Sequence, residues 1–595
     1  MTALMIDRTN ISVSARFTIP LCALLLGIAS SAQAVNLSFC VTSPISATPI
    51  LPQTNLTTLG CTQSINIALA PEEYEPASIV INADADIPDL TVNVKALTGP
   101  SAKTLPASSV DVRYVKTWFQ AGSAWQQVRQ DGTTNRKLVP ELLLYDDKLI
   151  QVDETAKKNF ARIGSRSIDI STPAIVADTL VVPVDQFPIQ DAATTQPLAV
   201  PKNNNRQIWL TARVPDNTLP GKYTGTVELR SAQLNKVVSV PIEIEVRPFV
   251  LSAPDIDYSL YYRGTLDPKN VGSISSELKS ETQMRAELRN MSQHGVSNSV
   301  IYQPPGDTSL FKKVLQFRSD AGMSNETLYY CGITTGNYTD VSDLNRRYAQ
   351  FTSLKNLAAT SFGTKNFFIY GIDEADPSEL AKQQQVWTKF NALGASIFAA
   401  DYKDGIEKIY PGKLPLMIAG VTPSLQINQR FQQMGTKIFL YSQPQVGVEN
   451  PAIYRTQYGV SAWQNGFNGV MDYAYQHSFG NIWNDFDNAT YRDHVFAYPT
   501  VNGVIDTIAW EGFREAIDDV RYISTLRQLA EEQQSAADLQ YLKNLKTVRV
   551  TNFDTLRSDI STRITNLCGT AKGQTSTANY CRNSPPEPVK GIRIN

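Results

Sequence analysis

The pattern of hydrophobic and polar positions changes once along the chain, near residue 250. Before that point, short runs such as Leu90 to Leu97 and Tyr223 to Leu229 alternate between apolar and polar residues, and Pro, Gly, Asn and Asp separate them. A period of two is typical of strands with one buried face. Many short strands between turns predict a β-sandwich over residues 35–250. Two segments are expected to interrupt it, Leu138 to Phe160 and the polar stretch Ala192 to Asn205, the second as an exposed loop.

Beyond Pro254 the chain alternates between apolar runs and amphipathic segments. Eight strands alternating with helices across some 250 residues predict a (β/α)8 barrel over residues 255–505. The alternative is an open doubly wound sheet, but no glycine-rich phosphate loop follows any of the runs. The predicted strands are Tyr258–Tyr262, Ser299–Gln303, Thr327–Cys331, Phe367–Gly371, Ser396–Ala400, Leu416–Gly420, Lys437–Tyr441 and Gly469–Tyr473.

Two helices are predicted after the barrel, Thr507 to Gln533 and about Ala537 to Leu567. They would form a C-terminal helical extension over 506–567, followed by a polar tail over 568–595. The predicted fold class is therefore a multidomain β plus α/β protein, with a sandwich, a barrel and a helical extension.

The first 34 residues have the features of an export signal. Arg8 and Arg16 precede the apolar run Phe17 to Ile28, and a small-residue cleavage site ends at Ala34. The alternative is a membrane anchor, but the run is too short to span about 30 Å of hydrocarbon. We therefore expect a secreted or periplasmic protein that begins near Val35 and has no membrane span.

Five cysteines remain after the predicted signal, which itself contains Cys22. Cys40 lies close to Cys61 in the sequence, and Cys568 lies close to Cys581. In an oxidising compartment these would form two local disulfides and leave Cys331 as a buried free thiol. The alternative is that all five are unpaired.

Composition and motif searches exclude several classes of function. A formal net charge of −2 offers no electrostatic footprint for nucleic acid or an anionic membrane. The three histidines have no metal-ligand spacing, and no G-x-S-x-G elbow, Walker loop or dinucleotide fingerprint occurs. We expect no cofactor and no metal, which leaves carboxylate chemistry. The sequence does not indicate an oligomeric state.

The best candidates for that chemistry are Asp373 and Glu374, which follow the apolar run Phe367–Gly371. This run is the fourth predicted strand, and the active site of a barrel lies at the C-terminal ends of its strands. Adjacent side chains on extended chain point in different directions, so one carboxyl can protonate a leaving oxygen while the other stabilises a cation. The alternative is that one of them caps the next helix, although Asp376 and Ser378 can do so instead.

Other strand ends supply further candidates. They offer polar groups for hydrogen bonding to a sugar and aromatic rings for stacking, although Tyr473 is as well explained by barrel packing and each Trp by a structural role. The candidate substrate-binding residues are Arg263, Asp267, Asp401, Asp472, Tyr473, Tyr475, Trp463 and Trp483.

Three motifs, in this order and spacing, give the chain a resemblance to the glycoside hydrolase family 123 group. The first is Pro220 to Thr226 with the preceding Ile208-Trp209-Leu210, the second is Tyr370 to Glu374, and the third is Trp510 to Tyr522. The resemblance covers most of the chain after residue 35. It departs from the family at Ala375, where a proline usually follows the acid pair.

The resemblance implies release of N-acetylgalactosamine by substrate-assisted retaining hydrolysis. It implies that Asp373 orients the substrate acetamido group and that Glu374 acts as acid and then base. The expected function is therefore a secreted glycoside hydrolase acting on a polysaccharide or glycoconjugate, and the resemblance implies that it is directed at N-acetylhexosamine. The alternatives are a glycosidase that uses two enzyme carboxylates on another sugar, and a non-catalytic carbohydrate-binding envelope protein.

Overall fold

The alternating strands of the N-terminal half pair into two sheets that share one hydrophobic core. The computed structural model describes residues 35–121, 136–173, 178–336, 341–403, 414–447, 449–488, 491–570 and 580–582. The predicted signal peptide and most of the predicted polar tail lie outside these ranges. Among the described residues, no helix combines the length and apolar character needed to cross a bilayer.

The first sheet has five antiparallel strands. The second contains a path of five strands with two short strands beside it, and its last pair is parallel. Alternate side chains of both sheets, such as Ile79 and Ile208 from the first and Leu90 and Val240 from the second, form one buried cluster. The first sheet runs Leu37–Thr42, Tyr74–Ala83, Arg206–Arg213, Val110–Gln120, Lys137–Leu144, and the second Leu198–Val200, Ile87–Val94, Gly221–Arg230, Val238–Val246, Ile65–Leu69, with Leu97–Thr98 and Thr104–Leu105 beside it.

Both predicted interruptions contain strands. Lys137–Leu144 is an edge strand of the first sheet, and the residues after it form a small antiparallel sheet of Ile150–Asp153, Lys158–Ile163 and Arg166–Asp169. Leu198–Val200 pairs with the second sheet and buries both its end residues completely, so the prediction of an exposed loop is wrong there. A three-residue strand in a polar context has too few alternations to be recognised from the sequence.

The C-terminal half contains a seven-stranded parallel sheet. Its strands correspond to seven of the eight predicted runs, with ends displaced by a few residues at most. Wherever the connection between successive strands is described, it contains at least one helix, so the sheet is of the α/β type. In spatial order the strands are Asp257–Leu260, Gly469–Asp472, Lys437–Leu440, Leu416–Ala419, Ser396–Asp401, Asn366–Tyr370 and Thr327–Thr334.

The remaining predicted strand, Ser299–Gln303, is an irregular segment that connects the two edges of this sheet. The Val300 N–H donates to the Leu260 carbonyl at 2.8 Å, and the Ile301 N–H donates to the Tyr329 carbonyl at 2.8 Å. The buried Arg318 guanidinium donates to the Ser299 carbonyl at 2.8 Å. In the described chain this segment forms a single isolated bridge, between Ile301 and Tyr330.

Two helices in the described chain begin with a capping box, Ser280 with Gln283 and Asp376 with Glu379. The prediction of a single helix over about Ala537 to Leu567 is wrong, because the structure has two helices there. Asn552 caps the second by accepting the Thr555 N–H at 2.9 Å. The helices are Glu281–Gln293, Thr308–Asp320, Val341–Phe362, Pro377–Ala392, Leu425–Gln433, Pro451–Tyr454, Ala462–Gln464, Ile508–Glu532, Ala536–Leu545 and Phe553–Thr570.

Short ladders and two disulfides complete the described chain. The structure contains the disulfides Cys40–Cys61 and Cys568–Cys581, and Cys331 is a buried free thiol. The short ladders pair Val182–Pro183 with Ser273–Ile274, Thr265–Leu266 with Leu278–Lys279, Gln476–His477 with His494–Val495, and Ala497–Pro499 with Val504–Asp506.

Candidate active site

Asp373 and Glu374 lie where the chain leaves the strand Asn366–Tyr370 and crosses toward the next parallel strand. The Gly371 N–H donates to the Phe398 carbonyl at 2.7 Å, and the Glu374 N–H donates to the Ala400 carbonyl at 3.0 Å. Glu374 has a φ of +47°, a left-handed conformation that is unusual for a side chain other than glycine. The backbone therefore turns sharply at Glu374 and directs the two carboxyl groups differently.

The pair is not needed to begin the following helix. Asp376 accepts the backbone N–H groups of Ser378 and Glu379 at 2.9 and 3.1 Å. Glu379 accepts the Asp376 N–H at 3.0 Å in return. Because these residues satisfy the free N–H groups at the helix N-terminus, the alternative in which Asp373 or Glu374 caps the helix is wrong.

Asp373 is accessible to solvent and is held by a single tyrosine. The Tyr370 hydroxyl donates to its Oδ1 at 2.6 Å. Partial burial raises the pKa of Asp373, and the neighbouring Asp401 carboxylate adds to the rise, whereas the Tyr370 hydrogen bond and Lys403 oppose it. The hydrogen bond fixes one oxygen and leaves the other available to a ligand.

Glu374 has the more strongly raised pKa that a general acid requires. Burial, followed by the Asp373 and Asp401 carboxylates, raises its pKa to about 6, and Lys403 opposes this. The Lys403 ammonium group also donates to the Glu374 backbone carbonyl. A carboxyl group with this pKa is partly protonated near neutral pH and can donate a proton to a leaving oxygen.

Tyrosine rings line the interior beneath the pair. Tyr261 lies at the centre of this group, with ring centroids 6.2 Å from Tyr370, 6.5 Å from Tyr441 and 5.3 Å from Tyr473. Arg263 donates to the Tyr473 hydroxyl at 3.0 Å. The structure therefore brings the predicted residues Arg263 and Tyr473 together near Asp373. Burial raises the pKa of Tyr473, and the Asp373 carboxylate raises it further, whereas Arg263 opposes the rise.

The predicted residues Asp401 and Asp472 lie at strand ends but are completely buried. Asp401 Oδ1 accepts the N–H groups of Tyr402 and Lys403 at 2.8 and 3.0 Å. Asp472 Oδ1 accepts the Ser442 N–H at 2.9 Å, and burial raises the pKa of Asp472 to about 7. Both carboxyl groups hold loop backbone around the site, so the prediction that they contact substrate directly is not supported by their burial.

Asp267 has a similar structural role. Its carboxylate accepts the N–H groups of Lys269 and Val271 at 2.9 Å and of Gly272 at 3.0 Å. These bonds lower the pKa of Asp267 against the effect of burial. The prediction of substrate binding is wrong for this residue, because its oxygens are occupied in closing a turn.

The predicted stacking platforms Tyr475, Trp463 and Trp483 are also wrong, because all three rings are buried in packing contacts. The Tyr475 hydroxyl donates to Asn290 at 2.9 Å. Trp463 carries the Lys546 ammonium group 3.5 Å above its ring. Trp483 donates to the Pro499 carbonyl at 3.0 Å and belongs to a buried hydrophobic cluster. None of these rings has a free face for a sugar.

Sequence reasoning missed several residues around the pair, chiefly Tyr261, Tyr370, Tyr441 and Lys403. Each tyrosine stands at or next to the end of a predicted strand, and none of the three was predicted to contact substrate. A useful signal would have been the recurrence of Tyr at several strand ends. Lys403 has no local signal, because its bond to Glu374 depends on the pairing of two strands.

A second polar cluster, remote from Asp373 in the sequence, joins His294, Asp506 and Glu511. Their possible ligand atoms lie within 4.8 Å of one another, and this is the group with metal-ligand distances in the described part of the chain. His294 Nε2 lies 3.1 Å from Glu511, which also pairs with Arg514, and Asp506 accepts a bond from Asn290 at 2.7 Å. Because these groups already bond to protein partners, the cluster is a structural network.

Comparison with known proteins finds a matching family over part of the chain. Residues 72–231 match the family described as the glycoside hydrolase 123 N-terminal domain. The predicted resemblance to glycoside hydrolase family 123 is confirmed. Comparison of the sequence with curated proteins gives no match.

Among solved structures, a family 123 glycoside hydrolase from Clostridium perfringens, studied for glycolipid glycan hydrolysis, has a similar fold. The TM-score is 0.61 at 13% sequence identity, covering 90% of this chain and 99% of that one. An endo-β-1,4-mannanase from Thermotoga petrophila gives a TM-score of 0.28 at 12% identity, covering 45% of this chain and 77% of that one, which is too low to support an argument. The first similarity shows a shared fold, and the match over residues 72–231 is the finding that supports the assignment as a glycoside hydrolase.

Proposed function

We propose that the protein is a secreted glycoside hydrolase, with a β-sandwich, a (β/α)8 barrel and a helical extension, that removes an N-acetylhexosamine from a glycan. The observation that carries the proposal is the pair Asp373-Glu374, two adjacent carboxyl groups with different surroundings at the end of a parallel strand. Asp373 is held by the Tyr370 hydroxyl, and Glu374 has a pKa of about 6. Such a difference assigns one carboxyl to charge stabilisation and the other to proton transfer.

In the proposed first step, Glu374 donates its proton to the glycosidic oxygen as the bond from that oxygen to the anomeric carbon breaks. The acetamido oxygen of the substrate forms a new bond to the anomeric carbon. Asp373 accepts a hydrogen bond from the acetamido N–H and stabilises the positive charge on the cyclic intermediate. The ionised Glu374 then takes a proton from water, whose oxygen attacks the anomeric carbon and reopens the ring with retention of configuration.

In the described part of the chain, the other carboxyl groups near the pair favour this scheme over one with a second enzyme carboxylate. Asp401 and Asp472 are fully buried and bond to loop backbone. Glu277, which is more exposed, forms an ion pair with Arg263. A retaining enzyme with its own nucleophile needs a second carboxylate about 5–5.5 Å from the acid and open to the anomeric carbon. Participation by the substrate acetamido group does not require one.

Substitution of Glu374 tests the proposed acid. We expect Glu374→Gln to fold normally and to lose at least about 100-fold in kcat on a natural glycan, because proton donation contributes roughly 10²–10⁴-fold. The matched control is Glu379→Gln, the same change at a helix cap where glutamine also serves. Release of sugar would be measured by mass spectrometry. Full activity of Glu374→Gln would refute the assignment.

A thiazoline inhibitor tests the role of the acetamido group, since it mimics the cyclic intermediate. The proposal expects competitive inhibition. An active enzyme that is not inhibited would instead use a second carboxylate on a non-acetamido sugar. A glycan array with product detection separates both cases from a non-catalytic carbohydrate-binding protein, which would bind a glycan and release no product.

A further inference from the structure

Tyr402 is the one aromatic side chain in the described ranges that is largely exposed, with 56% of its surface accessible. The tyrosines that line the interior of the parallel sheet are buried or half-buried. The Tyr402 ring makes no hydrogen bond or aromatic contact with any other residue that the structure describes. An exposed ring forgoes the stabilisation of burial, so its position in the molecule becomes informative.

Tyr402 follows the strand Ser396–Asp401 directly and belongs to the same loop as Lys403. Its backbone N–H donates to Asp401 at 2.8 Å, and the next residue, Lys403, donates to the carbonyl of Glu374. The buried Asp401 thus fixes the start of this loop, and Lys403 attaches the loop to the segment that carries the proposed acid. Tyr402 therefore belongs to a short loop whose two other described residues, Asp401 and Lys403, are anchored, Lys403 on the backbone of Glu374.

Gly420 connects Tyr402 to the tyrosines of the interior. A Cβ at Gly420 would lie 2.9 Å from the Cβ of Tyr402 and 3.2 Å from the Cδ1 of Tyr441. The two tyrosines therefore pack against the same glycine. Burial raises the pKa of Tyr441, with contributions from nearby carboxylates that include Glu374 and Asp373. Tyr402 therefore lies across Gly420 from one of the tyrosines that line the interior beneath the acid pair.

We propose that Tyr402 forms a binding subsite for the sugar residue on the leaving-group side of the bond that is cleaved. The inference rests on the proposed function, because an acid at Glu374 must contact the glycosidic oxygen. The leaving group is then bound next to Glu374, and Tyr402 is the exposed ring of the loop that Lys403 attaches to the Glu374 backbone. A pyranose ring has one apolar C–H face, which an exposed aromatic ring can cover. The subsite is therefore suited to a leaving group that is itself a sugar.

The test compares two substrates that share the released sugar, identified by the glycan screen. One is an oligosaccharide, whose leaving group is a sugar, and the other is the glycosyl fluoride, whose leaving group is a fluoride ion. We expect Tyr402→Ala to raise KM and lower kcat/KM about fivefold to tenfold on the oligosaccharide, a loss typical of one aromatic contact. On the fluoride the change should stay within about twofold, because no ring occupies the subsite.

Two further variants control for folding and for the hydroxyl group. Tyr402→Phe keeps the ring and should retain the activity on both substrates. Val548→Ala truncates another exposed apolar side chain, between the two C-terminal helices, and should change neither. Equal losses of Tyr402→Ala on both substrates, or no loss on the oligosaccharide, would overturn the subsite. A wild-type protein that cleaves neither substrate would overturn the proposed function itself.

Discussion

At the scale of single residues, the surroundings of two adjacent carboxyl groups determine their different chemistry. Asp373 keeps one oxygen bonded to the Tyr370 hydroxyl, whereas Glu374 sits in a left-handed turn attached to Lys403. Burial raises the pKa of both, and for Glu374 the two nearby carboxylates raise it further, to about 6. Lys403 opposes the rise in the pKa of Glu374 and also donates to the Glu374 backbone carbonyl. It therefore both positions Glu374 and influences its pKa.

This role predicts the pH dependence of activity. Glu374 must be protonated in the first step, so kcat/KM should fall as pH rises through about 6. Lys403→Met removes the cation that lowers the pKa of Glu374, so the alkaline limb should move up by roughly half a pH unit to one pH unit. Lys403→Arg keeps the charge and should leave the limb near its wild-type position. A limb that does not move in Lys403→Met would contradict this account.

At the scale of elements, the helix Ile508–Glu532 shows how close packing restricts sequence. Twenty of its 25 residues are buried. Gly512 faces the backbone of Pro451, the first residue of a short helix, and a Cβ at Gly512 would overlap the Pro451 carbonyl. The two backbones can approach this closely only because position 512 is glycine. Glycine is found here although it has a low helix propensity.

Replacement of two helical glycines tests this packing. We expect Gly512→Ala to lower the free energy of unfolding by about 1–3 kcal/mol or more, since backbone must move to admit the methyl group. Gly569→Ala is the matched control, because nothing lies within 4 Å of an added Cβ there. That variant should be neutral or up to about 1 kcal/mol more stable. Denaturant unfolding measures both, and equal effects would show that the Pro451 contact is unimportant.

At the scale of the whole molecule, Arg557 connects the N-terminal sheets to the C-terminal helices. Its guanidinium is buried and lies 2.7 Å from Glu75 and 3.7 Å from Glu73 of the sheet region. It also lies 2.9 Å from Glu515 and 2.7 Å from Asp519 of the long helix. One cation thus neutralises carboxylates from both halves of the molecule, which would otherwise repel one another in a medium of low dielectric.

Removal of this cation should destabilise the protein strongly. Arg557→Met removes the cation that pairs with Glu73 and Glu75, whereas Asp519 and Glu515 keep Arg455 as a partner. The change is expected to cost about 3–5 kcal/mol, because it leaves buried carboxylates uncompensated. Arg563→Met is the control, because Arg563 pairs with Asp538 and Asp559 within the helical region at a partly exposed site. That change should cost no more than about 1 kcal/mol. Thermal unfolding of the two variants measures the difference, and similar values would show that the buried network contributes little.

The sequence by itself determined most of the elements and the place of the candidate pair Asp373-Glu374. Fully apolar runs and alternating runs are visible in the sequence itself. The seven parallel strands could therefore be predicted, and so could the position of Asp373 and Glu374 at a strand end. Ser299–Gln303 could not be recognised as irregular, because the residue that bonds its backbone, Arg318, belongs to another element.

Only the tertiary structure decided which side chains surround the pair. Burial depends on contacts between residues distant in the chain, so the sequence could not decide between an open platform and a packed ring for Trp483 and Tyr475, which are both packed in the interior. The same dependence concealed the exposure of Tyr402 and the contact of Lys403 with Glu374, which arises from the pairing of neighbouring strands. The periodicity of side chains is local and can be found in the sequence, whereas solvent exposure and charge environment arise only when the chain has folded.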